Sequence, residues 1–117
     1  MQLSEIIKKQ IDADTKRGFL TSFDNDQELQ DQLMRDLVGL VGEVGEFADL
    51  LKKVGLAFST PGYTGPTLAE ATPQLRSELA DVAIYLFRLS TILNGDLESD
   101  ILRKMKINDE RYRYLEP

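Results

Sequence analysis

From Leu29 to Leu51 apolar side chains recur at three- and four-residue intervals without interruption, through Leu33, Leu37, Leu40, Val44 and Phe47. That period belongs to one long helix and cannot be accommodated as a strand, where alternation by two is required. No strand pattern competes elsewhere, so the chain reads as all-α, a bundle of four main helices. The first helix is predicted over residues 3–16, with Leu3, Ile7 and Ile11 on one face, Ser4 as a cap and Gly18 as its end. It is expected to attach only loosely to the rest. The long helix should start near Asp24 or Asp26 and stop at Gly55. Residues 55–73 hold three of the four prolines and three glycines, which predicts a loop. A third helix follows from Pro73 to Leu93, ending at Asn94-Gly95. The last begins at Asp96 and carries Leu97, Ile101, Met105, Tyr112 and Leu115.

Two pairs of carboxylates interrupt this apolar pattern. Glu43 and Glu46 lie in LVGLVGEVGEFADLL, and Glu78 and Asp81 in SELADVAIYLFRLS. Each pair has i,i+3 spacing, which places both side chains on one helix face. None of the four has a Lys or Arg three or four positions away. On a helical wheel Leu37, Leu40, Val41, Val44, Ala48 and Leu51 cluster together. Glu43 and Glu46 lie roughly 130° from them, on a face shared with Gly39, Gly42 and Leu50. A solvated ridge would mix Lys, Arg and Gln among the acids; this face has small residues instead. Glycines inside a helix cost about 1 kcal/mol each relative to alanine, a cost explained by close approach of another helix or a ligand. A partly buried, unneutralised acid is also costly, because desolvation and repulsion both oppose ionisation. A cation should therefore sit among Glu43, Glu46, Glu78 and Asp81. Oxygen-only ligation points to Mg²⁺, with Mn²⁺ the alternative. Open coordination positions would take phosphate oxygens and a nucleophilic water, chemistry suited to hydrolysis of a phosphoanhydride.

Composition narrows the alternatives. With 117 residues, one domain spanning 1–117 is expected. The net charge of −6 offers no basic excess to neutralise a nucleic-acid backbone. Cysteine and histidine are both absent, which removes disulfides, thiolate metal sites, His-containing metal sites and the commonest general base. No apolar run approaches a membrane span and the first ten residues are no signal peptide, so a soluble cytoplasmic protein is expected.

The residues also resemble a known family. GEVGEFADLLKK (Gly42 to Lys53), ELADVAIYLFRL (Glu78 to Leu89) and the K-x-x-x-N-x-x-R-Y element of Lys104, Asn108, Arg111 and Tyr112 are similar to the MazG-like all-α nucleoside triphosphate pyrophosphohydrolases. The resemblance implies Mg²⁺-dependent cleavage between the α- and β-phosphates, giving a nucleoside monophosphate and pyrophosphate. It implies that Glu43, Glu46, Glu78 and Asp81 bind the metal and that a carboxylate among or near them activates water. By the same resemblance Lys104 and Arg111 meet phosphate and Asn108 touches the ligand or a metal-bound carboxylate. It implies a homodimer or homotetramer. Lys104, Asn108 and Arg111, at i, i+4 and i+7, do share a helix face, and Lys52 and Lys53 could also reach phosphates. Phe19, Phe23, Phe58 and Tyr63 are candidates for a nucleobase slot. Nucleotide-pool house-cleaning is the role expected. Phosphoribosyl-ATP pyrophosphohydrolase activity, or a non-catalytic nucleotide- or metal-binding module, are the alternatives. The chain departs from the resemblance in its long 55–73 segment and in having Gly42 where many relatives carry an acid.

Overall fold

The computed structural model describes residues Met1 to Pro117 and contains helices only. These are α1 (Leu3–Lys16), α2 (Asp26–Ser59), α3 (Leu68–Ile92), α4 (Leu97–Arg111) and a short 3₁₀ turn over Arg113–Leu115. Local chemistry sets their ends. Ser4 lies inside the first turn of α1 and caps nothing; Gln2 precedes the helix without a side-chain cap. Beyond Arg17, Gly18 takes a positive φ of 85° that turns the chain away. Asn25, not either aspartate beside it, caps α2 by accepting the Glu28 N–H at 2.9 Å. Asp96 caps α4 as expected, through the Ser99 N–H.

The loop between the acidic helices is much shorter than its composition suggests. α2 runs through Gly55 to Ser59, because a glycine weakens a helix without ending it. The stop comes at Thr60, whose extended backbone (φ −117°, ψ 109°) is the conformation favoured before proline, here Pro61. On the far side, Thr67 caps α3 by accepting the Glu70 N–H at 3.1 Å, and its hydroxyl donates to the Glu70 carboxylate at 3.0 Å. Pro73 then lies inside α3, where it removes one hydrogen bond near the helix start. Of the 55–73 segment only residues 60–67 are left outside helices.

α2 and α3 form an antiparallel hairpin. Gly39 faces Tyr85, Glu43 and Glu46 face Glu78, and Val54 packs with Ala71 and Leu75 beside Phe47 and Leu50. A Cβ on Gly39 would clash with the hydroxyl end of the Tyr85 ring, so this glycine is what lets that ring lie against α2. Gly42 and Gly45 meet nothing within 4 Å. The face that α2 gives to α3 is thus the acidic one. Its apolar stripe points away: Leu37, Val41, Val44 and Leu51 are 44–58% exposed.

α1 is not loosely attached. Arg88 of α3 donates from Nη1 to Asp14 Oδ2 of α1 at 3.3 Å and from Nε to Asp36 Oδ2 of α2 at 3.0 Å. All three side chains are buried. Gln10 and Gln32 donate to the second oxygens of Asp14 and Asp36, at 2.9 and 3.2 Å, so one guanidinium with two amides satisfies two carboxylates. α4 packs on α1 and α3 and does not contact α2. No helix is long and apolar enough to cross a membrane.

Candidate active site

Midway along the hairpin the two helices bring three carboxylates together. One oxygen from each of Glu43, Glu46 and Glu78 lies within 4.8 Å of the others. Antiparallel pairing produces this directly: the i,i+3 acids of α2 meet the first acid of α3 at the same height. Asp81, one turn along α3, is exposed and lies outside the tight triple. It lines the same cleft as Glu43, and its charge reaches Glu78.

Glu78 is the buried member, 8% exposed, and its Oε2 has no hydrogen-bond donor. Its pKa is raised above the ordinary 4.5. The main cause is Glu43, whose oxygen can be hydrogen-bonded by Glu78 only when Glu78 is protonated. Burial comes next, then repulsion from Glu43; a hydrogen bond with Glu46 pulls the other way, and repulsion from Asp81 is the smallest cause. None of the four acids forms an ion pair. A divalent cation would reverse each of these penalties at once. Oxygens on one octahedral Mg²⁺ are about 3 to 4 Å apart, a small contraction from the present spacing. The donor set therefore fits a hard, oxygen-seeking ion.

Beside the acids opens a cleft of about 450 Å³, lined by Phe19, Gln32, Asp36, Glu43, Asp81, Ile84, Tyr85 and Arg88. That is a volume suited to a small organic ligand. Two of the four candidate metal-binding acids, Glu43 and Asp81, and two aromatic side chains contribute to its lining. Of the aromatics singled out in the sequence, only Phe19 lines it. Phe23 lines a separate small depression with Glu28 and Arg35, Phe58 is 81% exposed, and Tyr63 lies against Gly65.

The basic residues are placed apart from the acids within one chain. Lys104, Asn108, Arg111 and Tyr112 lie on or just after α4, all exposed, and α4 makes no contact with α2. Arg111 lies over the Tyr112 ring at 5.1 Å. Lys53 pairs with Asp49 at 2.9 Å on the exposed side of α2, a pairing that raises the lysine and lowers the aspartate. Sequence reasoning missed Tyr85, Arg88, Asp36 and Gln32. The signals were present: Tyr85 stands four residues after Asp81, Gln32 and Asp36 are i,i+4, and Arg88 is a lone cation in AIYLFRLS. None of these reveals its partners without the hairpin.

Comparison with known proteins agrees with the geometry. No family model matches the chain. It is 41% identical over 78 residues to dCTP pyrophosphatase 1 of Homo sapiens, a match covering 65% of this chain and 43% of that protein. The same protein of Rattus norvegicus is 40% identical and that of Mus musculus 38%, each over 76 residues with the same coverage. The matches thus span less than half the length of these relatives.

Proposed function

We propose that this chain, a homologue of the dCTP pyrophosphatases, is itself a divalent-cation-dependent nucleoside triphosphate pyrophosphohydrolase. It would cleave between the α- and β-phosphates, releasing a nucleoside monophosphate and pyrophosphate. The observation that carries this reading is buried Glu78, its Oε2 orphaned, within a triple of acids that no side chain neutralises. Glu43, Glu46, Glu78 and Asp81 would hold the ion, Mg²⁺ by the chemistry of the donors. When bound, it supplies positive charge against the phosphate oxygens and lowers the pKa of water. With histidine absent, a carboxylate of this group is the proton acceptor for the attacking water. The neighbouring cleft takes the nucleoside, its aromatic side chains offering a face for the base.

The working unit in this reading is a homodimer or homotetramer. The chain exposes 8808 Å², about 2,400 Å² more than a monomer of its mass usually does. An excess of that size suits an obligate interface. A second copy would also bring in Lys104, Asn108, Arg111 and Tyr112, which α4 holds away from α2 in their own chain. Clearing unwanted nucleotides from the cytoplasmic pool is the role that fits best.

The test is incubation of purified protein with Mg²⁺ and a panel of canonical and modified triphosphates, with the products separated. Monophosphate and pyrophosphate are expected, with Glu46→Gln slower by orders of magnitude at unchanged helix content. Release of diphosphate and orthophosphate would place the cleavage elsewhere. No turnover of any substrate by folded, metal-loaded protein would contradict the proposal.

A further inference from the structure

The buried Arg88 makes more bonds than the joining of helices requires. Besides its two aspartates, its Nη1 donates to the Phe19 carbonyl and its Nη2 to the Leu20 carbonyl, both at 3.1 Å. These carbonyls belong to the linker between α1 and α2, directly after the turn at Gly18. A fixed, planar fork of donors can hold two successive carbonyls in one geometry, which a lysine cannot. The Phe19 N–H is held as well, by the Asp14 carbonyl at 2.8 Å. Both ends of the Phe19 backbone are thus fixed while the residue is 56% exposed and lines the cleft that also holds Tyr85, Asp81 and Glu43. A clamp serving stability alone would leave an exposed phenylalanine with no reason for such fixing.

We propose that Arg88 is a positioning residue: by holding the Phe19 and Leu20 carbonyls it fixes the Phe19 ring as one wall of a nucleobase slot, with Tyr85 contributing another. This rests on the nucleotide reading above, which already gives the cleft's aromatic walls to the base, and adds what holds one of those walls in place. Arg88 itself touches no reacting atom. Arg88, Asp36 and Gln32 also border the cleft, but Asp14 and Asp36 neutralise the guanidinium and four of its five N–H groups already donate within the fold, so what it chiefly fixes is the linker.

The experiment measures binding, by calorimetry on the full chain with Mg²⁺, of a non-hydrolysable α,β-imido analogue of dCTP and of pyrophosphate, which has no base. Loss of an aromatic base contact costs on the order of tenfold in affinity. Phe19→Ala and Arg88→Lys should each weaken the nucleotide analogue by about that factor and leave pyrophosphate unchanged. The double variant should be no weaker than Phe19→Ala alone, because both act through one ring. Asp14→Asn, which leaves the carbonyl bonds in place, should lower the melting temperature without changing either affinity. Should Arg88→Lys not fold, Phe19→Trp supplies the readout, since the chain has no other tryptophan. Its emission should respond to the nucleotide analogue and not to pyrophosphate. Three results would each overturn the positioning role alone: unchanged nucleotide affinity in Phe19→Ala and Arg88→Lys, additive losses, or an indole emission in Phe19→Trp that ignores bound nucleotide. A wild-type protein that binds neither ligand would overturn the nucleotide reading and this role with it.

Discussion

Glu78 is the residue at which fold and function oppose each other. Its carboxylate is buried against Glu43 and has no donor, so the metal-free fold favours the protonated form. The sign of the pH dependence follows. A carboxyl whose folded value is raised costs stability once ionised, so the metal-free protein should gain stability as pH falls through that raised value towards 4.5. Above it the cost is fully present. Glu78→Gln removes the charge and keeps the shape. In metal-free protein at neutral pH it should raise the melting temperature by a few degrees and flatten this part of the pH profile. The same change should abolish activity and divalent-ion stabilisation. Thermal melts across pH, with and without Mg²⁺, check both halves. A variant that melts lower than wild type without metal would mean that Glu78 has a partner inside the fold.

At the scale of the elements, the α2–α3 hairpin depends on Gly39. Alanine there must displace the Tyr85 ring, and overpacking of that kind costs about 1–3 kcal/mol. Alanine at Gly42 meets nothing and gains about 1 kcal/mol in helix propensity. Gly39→Ala gains the same propensity but meets the overpacking cost as well, so denaturant unfolding should show it less stable than Gly42→Ala by about 1–3 kcal/mol, and only Gly39→Ala should also disturb the cleft that Tyr85 lines. The four helices, the cap at Asp96 and the i,i+3 pairing of the acids on each helix were legible in the sequence, because periodicity and spacing are local properties. The 55–73 segment was not. Its prolines and glycines fall partly within two helix ends, and Thr67 caps α3 earlier than composition suggests. The role of Arg88 was equally hidden, since Asp14 and Asp36 lie 74 and 52 residues away along the chain. Nor could the wheel of α2 say that α3 takes the acidic face and leaves the apolar stripe uncovered.

The whole molecule is open for its length. Its radius of gyration is 18.4 Å, where about 13 Å is usual for a compact chain of this size. Half of its eight buried residues are charged, and the leucines and valines of one side of α2 are exposed. The proposed second copy, covering that stripe, would account for both facts. Sedimentation should give a dimer or larger, and Val41→Glu, on the exposed stripe, should dissociate it and lower stability together with activity. A monomer with full activity would show that the site is complete in one chain. Common to these predictions is the joint binding of one hard divalent ion by acids from α2 and α3. Titration with Mn²⁺, followed by the electron paramagnetic resonance of the free ion, tests it most directly. The wild-type chain should deplete the free-ion signal, Glu46→Gln and Glu78→Gln should each restore most of it, and excess Mg²⁺ should compete. A wild-type chain that leaves Mn²⁺ free, or Glu78→Gln binding as well as wild type, would refute joint coordination by the two helices.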